Sequence, residues 1–183
     1  MLKRSLVGAA LVAGLAAAPA AAITVNIHGI LDSGANYLNY EPVALAAGTY
    51  TAAAIEDLFQ AESHWSSNAG CDGAGENCSQ GYVVRYAIHD SDGTLLLNWI
   101  DPNPNTYFAD PGDALASAQA AGAQLFTVLI GGTVYFGNPD TTTSDNRGGV
   151  SLLVQEVSDV PLPAAAPLLL LGLGGLAALR RKG

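Results

Sequence analysis

Apolar and polar residues alternate through the middle of this chain with the two-residue period of half-buried β-strands. Ile23, Val25 and Ile27 alternate with Thr24, Asn26 and His28. Over residues 82–89, Tyr82, Val84, Tyr86 and Ile88 share one face, and Val83, Arg85, Ala87 and His89 the other. Asp90-Ser91-Asp92-Gly93 supplies turn residues, and residues 94–100 return as the partner strand. A second hairpin is expected from residues 125–130 and 133–136, joined at Gly131-Gly132, because glycine admits the positive φ of a primed turn. Gly48 opens a further strand, and Val150, Leu152 and Val154 mark the last. Two short helices are expected. One covers residues 54–60, with Ile55, Leu58 and Phe59 on one side. The other covers the alanine-rich residues 114–121, capped by Asp113. Short strands, frequent turns and no long helical period predict a mainly β fold, an antiparallel β-sandwich of jelly-roll-like type with one or two short helices. No repeat of about 20–50 residues is present, which argues against a propeller or solenoid.

Both ends depart from this pattern. Residues 1–22 read as a signal peptide: Lys3 and Arg4, an apolar stretch over 6–15, then Pro19 and Ala20-Ala21-Ala22 before Ile23. An uncleaved anchor is the alternative, but the apolar stretch is short for a membrane span. At the other end, Val160-Pro161-Leu162-Pro163-Ala164 precedes an uncharged run over 164–179 and the basic cluster Arg180, Arg181 and Lys182. As a helix that run would extend roughly 24 Å, short of a ~30 Å hydrocarbon core by an amount that snorkelling of the terminal bases covers. The basic cluster belongs on the cytoplasmic side, which leaves the middle of the chain outside. Residues 23–159 then form one exported domain, and residues 160–183 a C-terminal segment with an apolar helix.

Motif, apolar run and arginine-rich end, in that order, resemble the C-terminal sorting signals of exosortase substrates, the PEP-CTERM class, in its VPLPA-CTERM variant. The resemblance covers residues 160–183. It implies recognition by an exosortase-like membrane protease, transient residence in the inner membrane through the C-terminal helix, and cleavage near the proline motif. Delivery to the cell envelope or an extracellular matrix would follow. A plain C-terminal anchor is the alternative. The tail carries no information about the chemistry of the domain it delivers.

Charge narrows the partners. The chain has 16 Asp and Glu against 7 Lys and Arg, a formal charge of −9. Every acid lies between Asp32 and Asp159, and residues 23–159 contain only Arg85 and Arg147 as bases, a formal balance of −14. Such a domain is no partner for nucleic acid, which needs clustered Lys and Arg, and a poor one for an anionic membrane surface.

Three places could carry chemistry. Cys71 and Cys78 enclose a short polar loop. In an exported chain they are most simply a disulfide, and a two-cysteine metal site completed by His64 and His89 is the alternative. The stretch from Asp140 to Gly149 is the densest in oxygen donors, and calcium takes six to eight of them. It is not an EF-hand, since the sixth position counted from Asp140 is Asp145 and the twelfth is Ser151. It is similar to the stretch before the last strand in several secreted β-sandwich domains, including calcium-dependent lectin-like folds. That resemblance implies Asp140, Asp145 and Asn146 as calcium ligands, with the positive charge of Arg147 beside them. The same residues also suit a plain turn. Finally, the turn-rich residues 101–113 bring the aromatics Tyr107 and Phe108, and Trp65, Trp99, Tyr107 and Tyr135 are candidate platforms for extracellular polysaccharide. Trp99 and Tyr135 read first as core residues on strands.

No nucleophile elbow, zinc-protease pattern or phosphate-binding loop occurs. The expectation is a non-catalytic envelope or matrix protein with a structural or adhesive role. A calcium-dependent, lectin-like carbohydrate-binding module is the first alternative and a secreted hydrolase the second.

Overall fold

The alternation at residues 23–28 becomes β1 (Ala22–His28), in which Val25 and Ile27 are buried and Thr24 faces solvent. The computed structural model describes residues 22–64, 81–101, 107–143 and 146–157. After β1 come β2 (Glu41–Leu45), β3 (Gly48–Ile55), β4 (Glu62–His64), β5 (Tyr82–Val83), β6 (Arg85–His89) and β7 (Leu95–Ile100). Helix α1 (Pro111–Ala121) follows, then β8 (Gln124–Val128), β9 (Gly132–Gly137) and β10 (Asn146–Glu156). Residues 1–21 of the expected signal peptide, Cys71, Cys78, Asp145, the expected sorting motif Val160-Pro161-Leu162-Pro163-Ala164 and the cluster Arg180, Arg181, Lys182 lie outside the described residues, whereas Ala22, the last residue of the expected signal peptide, opens β1 and pairs with Gln155.

The fold is mainly β and its strand pairings are antiparallel, as the alternation predicts. Two sheets form. In the first, β1 and β3 flank the long β10, β8 pairs with β3, and β4 joins the first residues of β10 and carries β5. The second has the order β2-β9-β6-β7. Val25, Ile27, Leu152 and Val154 of the first sheet share one apolar core with Tyr86, Ile88, Val134 and Phe136 of the second. The Phe126 and Phe136 rings meet edge to face at 6.0 Å across the sheets. The buried Tyr86 hydroxyl donates to the Ala52 carbonyl at 3.3 Å, so a second link between sheets also satisfies a polar tip.

Three local expectations are corrected. Residues 54–60 are not a helix. Ala53, Ala54 and Ile55 continue β3 because Leu153, Leu152 and Ser151 of β10 offer them a partner, and tertiary pairing overrides the helix propensity of alanine. Residues 125–136 are not a hairpin: β8 pairs with β3 while β9 pairs with β2 and β6, so the chain crosses between sheets at residues 129–131. The helix forms, but three residues earlier than its expected cap. Asp110 accepts from the Gly112 amide at 2.7 Å, and Pro111 occupies the first turn, where its missing N–H costs nothing.

Strand directions define two ends. At one, β1, β3 and β9 finish while β6 and β10 begin. At the other, residues 46–47 and 129–131 turn, and β10 ends.

Candidate functional site

The first end holds a buried polar network that joins the sheets. β4 brings in Glu62, the start of β6 brings in Arg85, and the segment after β9 brings in Asn138 and Asp140. Glu62 Oε1 accepts from Arg85 Nε, and its Oε2 accepts from Asn138 Nδ2. Arg85 Nη2 donates to Asp140 Oδ2. The Asp140 amide in turn donates to Asn138 Oδ1 at 3.1 Å, and Asp140 Oδ1 accepts from the Thr142 amide at 2.9 Å. Burial alone would lower the Arg85 pKa; the adjoining Glu62 and Asp140 carboxylates outweigh it and leave it raised. Arg85 is therefore a permanent cation between two acids, in the fork geometry that suits guanidinium.

Of the three predicted calcium ligands, Asp140 sits in this network with one oxygen on Arg85. Asn146 opens β10 and pairs with His64 at one end of the β4–β10 ladder, whose other end is the Glu62–Gly148 pair. It is 0% exposed, and neither its Oδ1 nor its Nδ2 has a hydrogen-bond partner. Asp145 lies outside the described residues. Among the described residues no group of three His, Cys, Asp or Glu side chains is arranged to hold a metal. The buried Asp101, just past β7, also has an unpartnered oxygen, Oδ2. Sequence reasoning missed Glu62, Asn138 and Asp101. It did have one usable signal: an arginine inside a strand of a strongly acidic domain needs acids as neighbours.

Beside this network lies a groove of about 500 Å³, lined among others by Glu56, Asp57, Phe59, Ser63, Tyr82 and Arg147. Its wall is the excursion over residues 56–61 that separates β3 from β4. That excursion is fastened at several points. The Phe59 amide donates to Ser151 Oγ at 2.9 Å, and Ser151 Oγ donates to Asn26 Oδ1 at 2.6 Å. Asn26 Nδ2 donates to Asp57 Oδ2 at 3.0 Å, and Gln60 Nε2 to Glu56 Oε1 at 2.9 Å. The Phe59 ring meets His28 edge to face at 5.6 Å. Gly149 makes room for all of this: a Cβ there would stand 2.1 Å from the Ile27 carbonyl oxygen and 2.8 Å from the Phe59 ring. Arg147, also in the lining, donates from Nη1 to the Asn146 carbonyl at 2.6 Å. The groove thus combines aromatic edges with carboxylate, amide, hydroxyl and guanidinium groups on a fixed frame.

The other candidate groups have structural surroundings. Trp99 is half-buried against Tyr86 at 5.3 Å, and Tyr135 meets Tyr37 at 5.5 Å. His28 Nδ1 accepts from the Ile30 amide at 3.1 Å, and His89 Nδ1 lies 3.2 Å from the Gly93 carbonyl oxygen. Trp65 lies outside the described residues, as do Cys71 and Cys78. In comparisons with known proteins, no protein family, curated protein or solved structure matches this chain.

Proposed function

We propose that this chain is an exported protein of the cell envelope or extracellular matrix, sorted by an exosortase-type system, whose domain has a structural or adhesive role and no catalytic one. The order of proline motif, uncharged run and basic cluster over residues 160–182 supports the sorting. A jelly-roll reading of the domain is supported by strand order. Leaving aside the short β4 and β5, the eight remaining strands divide as β1-β10-β3-β8 and β2-β9-β6-β7, the division expected of two Greek keys wrapped around one core. Adhesion rests on one observation, the groove beside β4 with its aromatic and polar lining. With a formal balance of −14 over residues 23–159, the polysaccharide it holds would be neutral, because an acidic polymer would be repelled.

The full chain should be retained on an immobilised neutral polysaccharide, and Phe59→Ala should weaken that retention about ten-fold, as loss of an aromatic anchor does. Retention on none of a broad set of neutral polymers would remove the adhesive reading. For sorting, Pro161→Ala with Pro163→Ala should leave the chain unprocessed in the inner membrane; unchanged release would count against an exosortase.

A calcium-dependent version of the same module is the second reading. It is favoured by the orphaned Oδ1 of Asn146, since a buried acceptor without a partner is costly and a cation would supply one. Calcium should then raise the melting temperature relative to chelator, and Asn146→Ala should abolish the difference.

A further inference from the structure

The end of the domain opposite the polar network carries the most exposed large apolar side chains among the described residues. Leu129 is 85% exposed and Ile130 83%, side by side where the chain crosses from β8 to β9. Nothing nearby in sequence shields them with charge: residues 114–139 and 42–55 contain no Asp, Glu, Lys or Arg. The neighbouring turn is equally bare. Gly131 lies against Ala46 and Ala47, both exposed, so closely that a Cβ on it would stand 3.1 Å from the Ala47 nitrogen. Glu156 at the end of β10 and the turn with Asp90 and Asp92 bring the acids that reach this end.

The folded unit also releases its C-terminal segment here. The Val157 amide donates to the Thr49 carbonyl at 2.8 Å, and Thr49 is paired with Thr127 of β8. Val157 therefore stands about two strand spacings, roughly 10 Å, from the strand that runs into Leu129. From Val157 to Ala164, where the uncharged run begins, the chain could span at most about 25 Å even if fully extended.

We infer that Leu129 and Ile130 form a contact tip for the surface of the lipid bilayer that the C-terminal run enters. The inference rests on the membrane step of the proposed sorting, and it adds which face of the domain meets the bilayer. A tip with a few apolar side chains binds a lipid interface weakly alone; a short tether raises its effective concentration until that weak contact is occupied. A second copy is the poorer occupant. Two side chains fall well short of the roughly 800 Å² per partner of a stable interface, and two strongly acidic domains repel one another. The contact lasts as long as the tail is uncut.

The test uses the uncut full chain in phosphatidylcholine vesicles, with a photoreactive benzophenone side chain introduced by Ile130→p-benzoylphenylalanine or, at the groove end, by Leu58→p-benzoylphenylalanine. Leu58 is also exposed, so both positions tolerate the change. Circular dichroism against the unmodified chain confirms the fold. On illumination, lipid adducts at position 130 should exceed those at 58 by about five-fold or more, and added phosphatidylglycerol should lower them. Flotation is measured on the same sample. A chain that floats but forms equal lipid adducts at both positions, or protein–protein adducts at 130, overturns the inference and leaves the sorting proposal standing. A chain that does not float overturns both. Adducts that rise with phosphatidylglycerol would mean charge-driven binding, and that too overturns it.

Discussion

The two ends of this domain handle unfavourable groups in opposite ways. At one, Glu62, Asp140 and Arg85 are withdrawn from water and answered by each other and by Asn138. At the other, Leu129 and Ile130 stand exposed on the surface of the described residues. One core of alternating side chains runs between them, so neither feature follows from the sheets themselves. Each sits where strands stop and the ladder no longer dictates what the chain must bury. Core formation thus explains the middle of the domain, and the ends carry what is specific to this protein: a groove beside the charged network, and a bare tip at the end where β10 finishes.

The largest expected effect breaks the charged end. Arg85→Ala leaves Glu62 buried without its cation and should cost about 3–5 kcal/mol, as for other buried pairs that lose one member. Urea unfolding of the two proteins measures it. A loss below about 1 kcal/mol would mean that the network behaves like a solvated surface pair, and the contrast between the ends would dissolve. Next comes a pair of leucines. Leu152, 0% exposed, supports the shared core, and Leu152→Ala should cost about 2–5 kcal/mol. Leu129→Ser at the tip should stay within about 0.5 kcal/mol of the parent. A similar penalty at both positions would show that the tip is structural after all.

What the sequence made legible follows the same division. β1 and the inward positions of β6 and β10 were readable because a strand with one buried face must alternate, whatever it pairs with. The partner was not readable. Residues 125–136 looked like a hairpin since proximity in sequence suggests pairing, yet β8 and β9 belong to different sheets. Ala54 looked helical because propensity is local, while the side of β10 that claims it lies about a hundred residues away. The helix start was within reach: Asp110 followed by Pro111 is the stronger cap signal, and Asp113 drew attention only by touching the alanine run. For the site, Asp140 stood out as one of several oxygen donors, but its role depends on Arg85, 55 residues away, and on Asn138 and Glu62, themselves 76 apart. Glu62 lies in no motif and has no periodic context, so only the folded chain could single it out.

The smallest effect sharpens the charged end by its pH dependence. Asp32 follows β1, where its Oδ2 accepts from the His28 amide at 2.7 Å and its carbonyl accepts from the Asn138 amide at 2.8 Å. Burial raises its pKa above the ordinary 3.8, and the hydrogen bond from His28, with the His28 charge, offsets only part of that. A raised carboxyl binds its proton more tightly folded than unfolded. Its ionisation therefore weakens the fold above the folded pKa, and that burden lifts as pH falls through the raised value towards 3.8. Asp32→Asn keeps an oxygen for the His28 amide and removes the charge. It should stabilise the domain by about 0.5 kcal/mol at neutral pH, with the gain fading on acidification and gone below the ordinary carboxyl range. Unfolding curves for both proteins across that range decide it. A gain that does not change with pH would come from packing, and a loss at neutral pH would show that His28 wins over burial. In that second case Asp32 would join Glu62 and Asp140 as an acid this end has matched with a partner.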